Sequence, residues 1–496
     1  MTSLQLQTKI LLAGISGILI ARSYTFPNGW ILIPIGIAVW WAGTHKRPLS
    51  DYLIFSTFFS LGYWFTHIAW ISSIGIDAYI LLATLMSLIY TSSGYFMFKV
   101  RDLYFPFAWY ALIFISIETL TDFVPFGGFP WGKIAYGSAD APWANLMPFG
   151  SAPLASLAIL LVAILLIPLV GFVLQKAFFP AIVFSIFIFA FLYSIDGLKI
   201  GYDKSSKSMN LALIQGSVPR SGLLFNEQKL EVLNFHSIET KKLLSQSNRD
   251  IDAIFWPENA IDVDPFKNAQ AADYINEILS LSQKPLLAGA VIQEVNGLSN
   301  SVGLWNPLTS NVEQEYVKSI LVPFGEYLPF RETLSKYIRR FDLIPQDFIP
   351  GKYPNNIDID GSVISPIICF EIAWNKTLND QMINGGQLIS VHTNNATYAF
   401  SNQIDQQFTM TRLRALEMGR EVVITATTGI SAHIDRSGKA LWQSNEFVPQ
   451  SKIVQANLYS DLTPAVKYSK EIGFISLFGI FLPFILLLLR YGYRKL

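Results

Sequence analysis

Residues 365–374 read SPIICFEIAW, and they contain Cys369, the only cysteine in the 496-residue chain. The segment leading into it, Val363–Ile368, is apolar and rich in β-branched residues, the composition of a buried strand. Phe370 and Glu371 follow. A strand that ends at a cysteine and then turns is a good mount for a nucleophile. The strand fixes the backbone, and the turn exposes the sulfur and the next backbone N–H. A lone cysteine is more often a small buried hydrophobe, so the residues around it in the fold must decide its role.

Working outward, the surrounding polar region reads as an α/β domain. Met209–Gly216, MNLALIQG, is a short apolar strand, and Phe225–Ser245 is a polar-faced helix candidate. Ala253–Trp256 is a second strand, ending in Trp256-Pro257-Glu258-Asn259, and Pro285–Val291 is a third. Strands alternating with helices define the class. Glu258 falls at the C-terminal edge of its strand, where α/β proteins place their chemistry. Alone it would pass for a helix-start residue. Lys318 lies in YVKSILVPFGEYLP, residues 316–329, with Glu326 eight positions on. Acyl transfer to a thiol needs a nucleophile, a proton carrier and positive charge where the oxyanion forms. Cys369, Glu258 and Lys318 are of those three types, each beside a strand–turn boundary.

Composition sets the frame. The chain is 51% hydrophobic and 15% charged, against about 25% charged in soluble domains. Lys+Arg and Asp+Glu balance at 36 each, so nothing points to nucleic acid. One cysteine excludes an intrachain disulfide. The five histidines form no metal-ligand spacing, and no nucleotide-binding loop is present. No metal and no cofactor are expected.

Residues 1–195 alternate apolar runs with short polar loops, and roughly 20 apolar residues cross a bilayer. Ile10–Ala21, Trp30–Thr44, Tyr52–Ile76, Ala78–Phe98, Tyr104–Leu120, Leu154–Leu174 and Ala177–Ile195 give seven segments, and Ile472–Leu489 an eighth. With both termini inside, the inner loops hold Lys9, Lys46, Arg47, Lys99, Arg101, Lys176, Arg490, Arg494 and Lys495, and the short outer loops only Arg22 and Lys133. This satisfies the positive-inside rule. The expected organisation is a membrane region at 1–195, an extracytoplasmic α/β domain at 196–471, and a last helix with a cytoplasmic tail at 472–496. Pro125–Tyr136, PFGGFPWGKIAY, breaks helix in the membrane region. Its Phe126, Phe129 and Trp131 suit the headgroup interface. Further on, Phe408–Arg420 reads as a helix packed on the α/β domain with a charged outer face.

The pieces WPE, Y-x-K-x-x-LVPFGE and the Cys-Phe-Glu after a strand resemble the nitrilase superfamily. With the membrane frame, the GGFPWG loop, TNNATY and RLRALEMGRE, the chain resembles its membrane-embedded branch, the apolipoprotein N-acyltransferases, over essentially its whole length. The resemblance implies an αββα sandwich between the seventh and eighth of about eight helices. It implies Glu258 as general base, Lys318 as oxyanion-stabilising cation and Cys369 as nucleophile, with Glu326 and Glu371 as supporting acids. Phe370 stands where the family often has tyrosine; its backbone N–H can still serve the oxyanion. The family's N-D-A-W-F-G loop reads Asn394-Asn395-Ala396-Thr397-Tyr398-Ala399, which moves the aromatic to Tyr398, and the QGSVPRSGLLF stretch lacks a tryptophan found in some members. Phe129, Trp131 and Tyr398 are the candidate lipid contacts.

The implied reaction moves an acyl chain from a membrane phospholipid, through a cysteine thioester, to the α-amino group of a diacylglyceryl-cysteine on an apolipoprotein. The implied setting is the bacterial cytoplasmic membrane, with a monomeric enzyme. The alternatives are a membrane-tethered amidase with water as acceptor, and a receptor that keeps a nitrilase-like domain for binding.

Overall fold

The computed structural model describes residues 3–26, 28–201, 205, 207–218, 229–247, 250–334 and 346–493. The chain divides into two compact units, residues 1–200 with 468–496, and residues 201–467.

The first unit is helical. It holds α1 (Ser3–Arg22), α2 (Leu32–Thr44), α3 (Leu49–His67), α4 (Ile76–Val100), α5 (Pro106–Leu120), α6 (Met147–Leu174) and α7 (Phe178–Asp196). Among the described residues, four helical stretches are long and apolar enough to cross a membrane, at Leu4–Arg22, Ile76–Val100, Pro142–Leu174 and Phe178–Asp196. The 13 residues of α2 and the 15 of α5 reach only about 20–22 Å at 1.5 Å per residue. Small residues bring the helices together: a Cβ on Gly17 would stand 2.1 Å from the Phe59 carbonyl oxygen, and one on Gly62 2.3 Å from that of Gly14.

Two apolar runs differ from the sequence reading. Tyr52–Ile76 is not one span, because α3 stops at His67 and a 3-10 turn, Ala69–Ser73, precedes α4. Ile472–Leu489 is two helices bent by 49° at a short break near Gly479. Arg494 and Lys495 lie outside the described residues.

The loop at Pro125–Tyr136 is built into this unit. Trp131 is fully buried and Phe129 nearly so, while Phe126 stays 39% exposed. Trp131 packs on Trp70 with ring centroids 5.5 Å apart, and Phe129 on Trp64 at 6.2 Å. Tyr63 Oη donates to the Gly132 carbonyl at 2.8 Å, Tyr24 Oη to that of Lys133 at 2.9 Å, and the Ile134 N–H to Glu118 Oε1 at 2.7 Å. Helix side chains therefore satisfy the polar backbone that a glycine-rich loop leaves unpaired. Phe129 and Trp131, expected at a lipid interface, take protein partners instead.

The second unit is the expected αββα sandwich. In chain order it comprises β1 (Lys207–Gln215), α8 (Glu231–Gln246), β2 (Ala253–Ile261), α9 (Ala269–Ser282), β3 (Leu286–Gln293), β4 (Leu298–Trp305), β5 (Val312–Val317), α10 (Arg331–Leu334), β6 (Ile357–Ile359), β7 (Ser362–Ile368), α11 (Asn375–Ile383), β8 (Leu388–Thr393), α12 (Gln403–Met418), β9 (Val422–Ala426), β10 (Ala432–Ile434), β11 (Ala440–Gln443), β12 (Gln450–Leu458) and α13 (Pro464–Lys467). The helices α14 (Ser469–Phe478) and α15 (Phe481–Tyr493) return to the first unit. The expected helix at Phe225–Ser245 begins at Glu231; Pro219–Phe225 lie outside the described residues.

Each sheet has six strands, in the orders β12-β1-β2-β3-β4-β5 and β11-β10-β9-β8-β7-β6. The central strands β1, β2 and β3 run parallel, as do β7, β8 and β9. Period-two alternation splits β1 between two cores. Met209, Leu211 and Leu213 join Phe255, Ile364, Ile368 and Val423 between the sheets. Ala212 and Ile214 join Trp256, Leu233, Ile275 and Ile278 under α8 and α9.

The expected charged outer face of α12 is corrected. Arg414 and Arg420 are fully buried. Arg414 donates to the carbonyls of Ile372 and Ala373 at 2.8 and 2.7 Å and pairs with Glu417. Arg420 donates to the carbonyls of Gly386 at 2.8 Å and Asp461 at 2.6 Å. Loop carbonyls with no strand partner draw the guanidinium groups inward.

Candidate active site

The strand and turn around Cys369 form as the sequence leads one to expect. β7 ends at Ile368, and a 3-10 turn, Cys369–Ala373, begins at once. Cys369 has φ 50°, a left-handed conformation that a non-glycine residue holds at a cost of about 1–3 kcal/mol. Gln407 Nε2 approaches its carbonyl oxygen at 3.4 Å. Glu371 ties the turn to the Lys318 loop. Its Oε2 accepts from the Ile368 N–H at 3.0 Å and Tyr316 Oη at 2.7 Å. Its Oε1 accepts from the N–H groups of Ser319 and Ile320 at 2.8 and 3.0 Å, and from Ser319 Oγ at 2.8 Å. Phe370 is buried, with its ring edge-on to Trp374 at 4.6 Å.

Glu258 arrives differently from the sequence reading. β2 does not stop at Trp256 but continues to Ile261 through an irregularity. Trp256 pairs with Ala288 and Ile261 with Ala290, so five steps on β2 face two on β3. The extra residues form a bulge that contains Glu258. Pro257 suits such a break because it has no N–H to leave unpaired. Asn259 adopts φ 54°, and Gly289 supplies clearance: a Cβ there would stand 2.4 Å from the Pro257 oxygen and 2.6 Å from Glu258 Cα. Bulges commonly re-aim a side chain, and this one carries the carboxylate.

The charged groups meet at one point. Lys318 Nζ lies 2.8 Å from Glu326 Oε1 and 3.3 Å from Glu258 Oε1. Asn300 on β4 donates Nδ2 to the same two oxygens, at 2.9 and 2.8 Å. Glu258 Oε2 accepts from the Asn394 N–H at 2.8 Å, and Glu326 Oε2 from the Val322 N–H at 2.7 Å. Lys318 and Glu258 are 1% and 5% exposed. Burial works against the Lys318 charge, but the Glu326 and Glu258 carboxylates overcome it and hold the ammonium well above the usual lysine range.

Cys369 belongs to the same electrostatic field. Burial, then the Glu258 charge, push its thiol up to about 12, with Lys318 pulling the other way. The resting sulfur is therefore a neutral thiol, and its reactivity depends on a base. Burial and the neighbouring Cys369 also raise the Tyr398 hydroxyl, which places that half-buried ring beside the centre. Burial raises Glu371 as well, against Lys318 and its hydrogen bonds.

The structure thus brings Glu258, Lys318, Glu326, Glu371, Cys369 and Tyr398 to one region of the second unit. Phe129 and Trp131 belong to the first. Asn300, which holds two carboxylates, was not singled out from the sequence; a β-strand asparagine carries no signal of its own. Among the described residues, no group of three or more His, Cys, Asp or Glu could hold a metal ion.

A bulge-borne glutamate, a lysine and a strand-end cysteine between two six-stranded sheets define a carbon–nitrogen hydrolase domain of the nitrilase superfamily, and residues 239–468 match the carbon-nitrogen hydrolase model. Residues 16–165 match the apolipoprotein N-acyltransferase N-terminal domain; the chain belongs to the apolipoprotein N-acyltransferase family. It is 32% identical to the apolipoprotein N-acyltransferase of Mycolicibacterium smegmatis over 67% of this chain and 60% of that protein. It is 25% identical to that of Photobacterium profundum over 98% and 96%, and 29% identical to that of Wigglesworthia glossinidia brevipalpis over 76% and 72%. Among solved structures, it is similar to a nitrilase-superfamily amidase from Nesterenkonia AN1, at 14% identity over 54% of this chain and 96% of that one, with a TM-score of 0.39.

Proposed function

We propose that this protein transfers an acyl chain from a membrane phospholipid to the α-amino group of a diacylglyceryl-cysteine at the N-terminus of an apolipoprotein, through a thioester on Cys369. The observation that carries the reading is a buried strand-end thiol, Cys369, gathered in one region with a buried carboxylate–lysine cluster, Glu258, Lys318 and Glu326. In the first step Glu258 takes the thiol proton as sulfur attacks the ester carbonyl. Lys318 and the Phe370 N–H stabilise the oxyanion. The ester C–O bond breaks, Glu258 returns the proton to the departing oxygen, and lysophospholipid leaves. In the second step the α-amino nitrogen attacks the thioester. Its proton passes to Glu258, the C–S bond breaks, and sulfur recovers a proton. Water must be kept out while the thioester stands.

Both substrates are lipid-anchored, which accounts for a catalytic domain joined to apolar helices. The loop charges support an extracytoplasmic position for residues 196–471, with both termini in the cytoplasm, and the enzyme is read as a monomer. The test is intact mass of the full-length protein after incubation with labelled phosphatidylethanolamine in mixed micelles. A hydroxylamine-sensitive acyl adduct that passes to a diacylglyceryl-cysteine peptide is expected. Released fatty acid with no adduct would make it a hydrolase, and no turnover a binding protein. Sidedness is read from a tag on Lys495 in intact spheroplasts.

A further inference from the structure

Glu258 sits on the first sheet, yet its backbone is held from the second. Thr427 Oγ1, just past β9, donates to the Glu258 carbonyl at 3.1 Å. Two residues earlier in the chain, the Trp256 carbonyl lies where the β2–β3 register breaks, and a proline follows it. His392 of β8 meets that carbonyl: its Nδ1 is 2.8 Å from the Trp256 oxygen. The ring is fully buried and stacks on Phe255 at 6.2 Å, within an intersheet layer built mainly of Met, Leu, Ile, Val and Phe side chains.

The hydrogen-bond chemistry fixes how this ring works. A carbonyl oxygen only accepts, so Nδ1 carries the hydrogen. Nε2 then presents its lone pair to Ser390 Oγ, 2.8 Å away, and the serine hydroxyl donates to it. Both ring nitrogens are used, and the neutral tautomer is locked. Burial, offset in part by the Trp256 bond, lowers the ring to about 4, so it stays in this form at neutral pH. His392 is too well occupied to exchange protons with substrate. What it does is pin the carbonyl at the start of the bulge, while Thr427 pins the carbonyl of Glu258 itself.

We propose that His392 is a positioning residue: its Nδ1–H clamp on the Trp256 carbonyl sets the bulge that aims Glu258 at the thiol. The proposal rests on the reading of Glu258 as the base for Cys369. A displacement of about 1 Å from a productive geometry can cost roughly 100-fold in rate, so loss of this clamp should be visible in chemistry before it is visible in stability.

The side chains that separate this role from simple packing are asparagine and glutamine. Asparagine can place an N–H near the Nδ1 position; the longer glutamine places its amide near Nε2 and misses the Trp256 carbonyl. The first measurement is alkylation of Cys369, the only thiol, by iodoacetamide across pH on the full-length protein. It needs no lipid and reads base assistance directly. The second is single-turnover thioester formation from phosphatidylethanolamine. His392→Asn is expected to stay within several-fold of the unaltered protein in both. His392→Gln is expected to fall about 10–100-fold near neutral pH, to recover about tenfold per pH unit as hydroxide replaces the base, and to add nothing further in a Glu258→Gln background. Equal losses in the asparagine and glutamine proteins, a loss independent of pH, or a loss that multiplies with that of Glu258→Gln would overturn the proposal. If the unaltered protein forms no thioester yet the alkylation pattern holds, the acyltransfer reading fails while the positioning role stands.

Discussion

Lys318 Nζ is closer to Glu326 than to Glu258, 2.8 Å against 3.3 Å. The cation is thus anchored chiefly by a carboxylate that Asn300 and the Val322 N–H also hold. Glu258 is left with the longer contact to the ammonium, while Asn300 and the Asn394 N–H hold its carboxylate as well. Glu326→Gln removes the nearer counter-charge and should let Lys318 shift toward Glu258, away from its proposed place at the oxyanion. The expected result is a fall in thioester formation of about 10–1,000-fold, with the thermal unfolding temperature also lowered because a buried ion pair is broken. Stopped-time intact mass checks it; an unchanged rate would remove Glu326 from the mechanism.

Cys369→Ala should abolish the hydroxylamine-sensitive adduct, since no other cysteine exists to carry it. The backbone adds a second expectation. At φ 50° an alanine is strained and a glycine is not. Cys369→Gly should therefore unfold at a temperature no lower than Cys369→Ala, and by differential scanning calorimetry be favoured by up to about 1 kcal/mol.

Glu258→Gln and Lys318→Met should separate by pH. With the thiol pushed up to about 12, its ionised fraction rises about tenfold per pH unit throughout the accessible range. Glu258→Gln removes the proposed base and also a negative neighbour that raises the thiol. Its acylation rate should climb steeply with pH, and its thiol should ionise at lower pH than before. Lys318→Met removes positive charge that lowers the thiol, so its ionisation moves the other way and alkaline recovery should be weaker. Single-turnover thioester formation measures both; equal recovery would mean that Lys318 acts mainly through the cysteine.

Arg414→Met should be severe although Arg414 touches no proposed substrate. It strands the buried Glu417 carboxylate and frees the Ile372 and Ala373 carbonyls behind the nucleophile turn. Breaking a buried pair costs about 3–5 kcal/mol. Arg414→Met with Glu417→Met should recover part of that loss in urea denaturation, while acylation stays impaired because the turn remains unsupported.

Cys369 and Lys318 were legible because each directly follows a strand, and strand ends are visible as apolar runs that stop; Glu258 was found by the same cue although its strand runs on past it to Ile261. Their geometry was not. The bulge at Glu258 depends on pairing with β3, which a single segment does not display. The burial of Arg414 and Arg420 depends on unpaired carbonyls in distant loops, so helical spacing alone put those charges outside. Trp131 reads as interfacial by residue type, but Trp70 packs on its ring and Tyr63 of α3 holds the next carbonyl, that of Gly132. An isolated thiol carries an ordinary acidity; only burial beside Glu258 raises it. The position of His392 gives no cue in sequence, because its partner, Trp256, is 136 positions away.

The pairing of β1 with β12, Lys207 opposite Leu458 through Gln215 opposite Gln450, bears on biosynthesis. More than 230 residues must be made after β1 before its outer neighbour exists. At about 5–20 residues per second that interval is roughly 10–50 s. During it β1 presents one unpaired edge, with hydrophobic side chains on both faces. Such an edge is a template for wrong strands. The ribosome therefore delivers an incomplete sheet well before its closing strand, and a factor that shields nascent β-edges during that interval should raise the yield of active enzyme more than one that assists the finished chain.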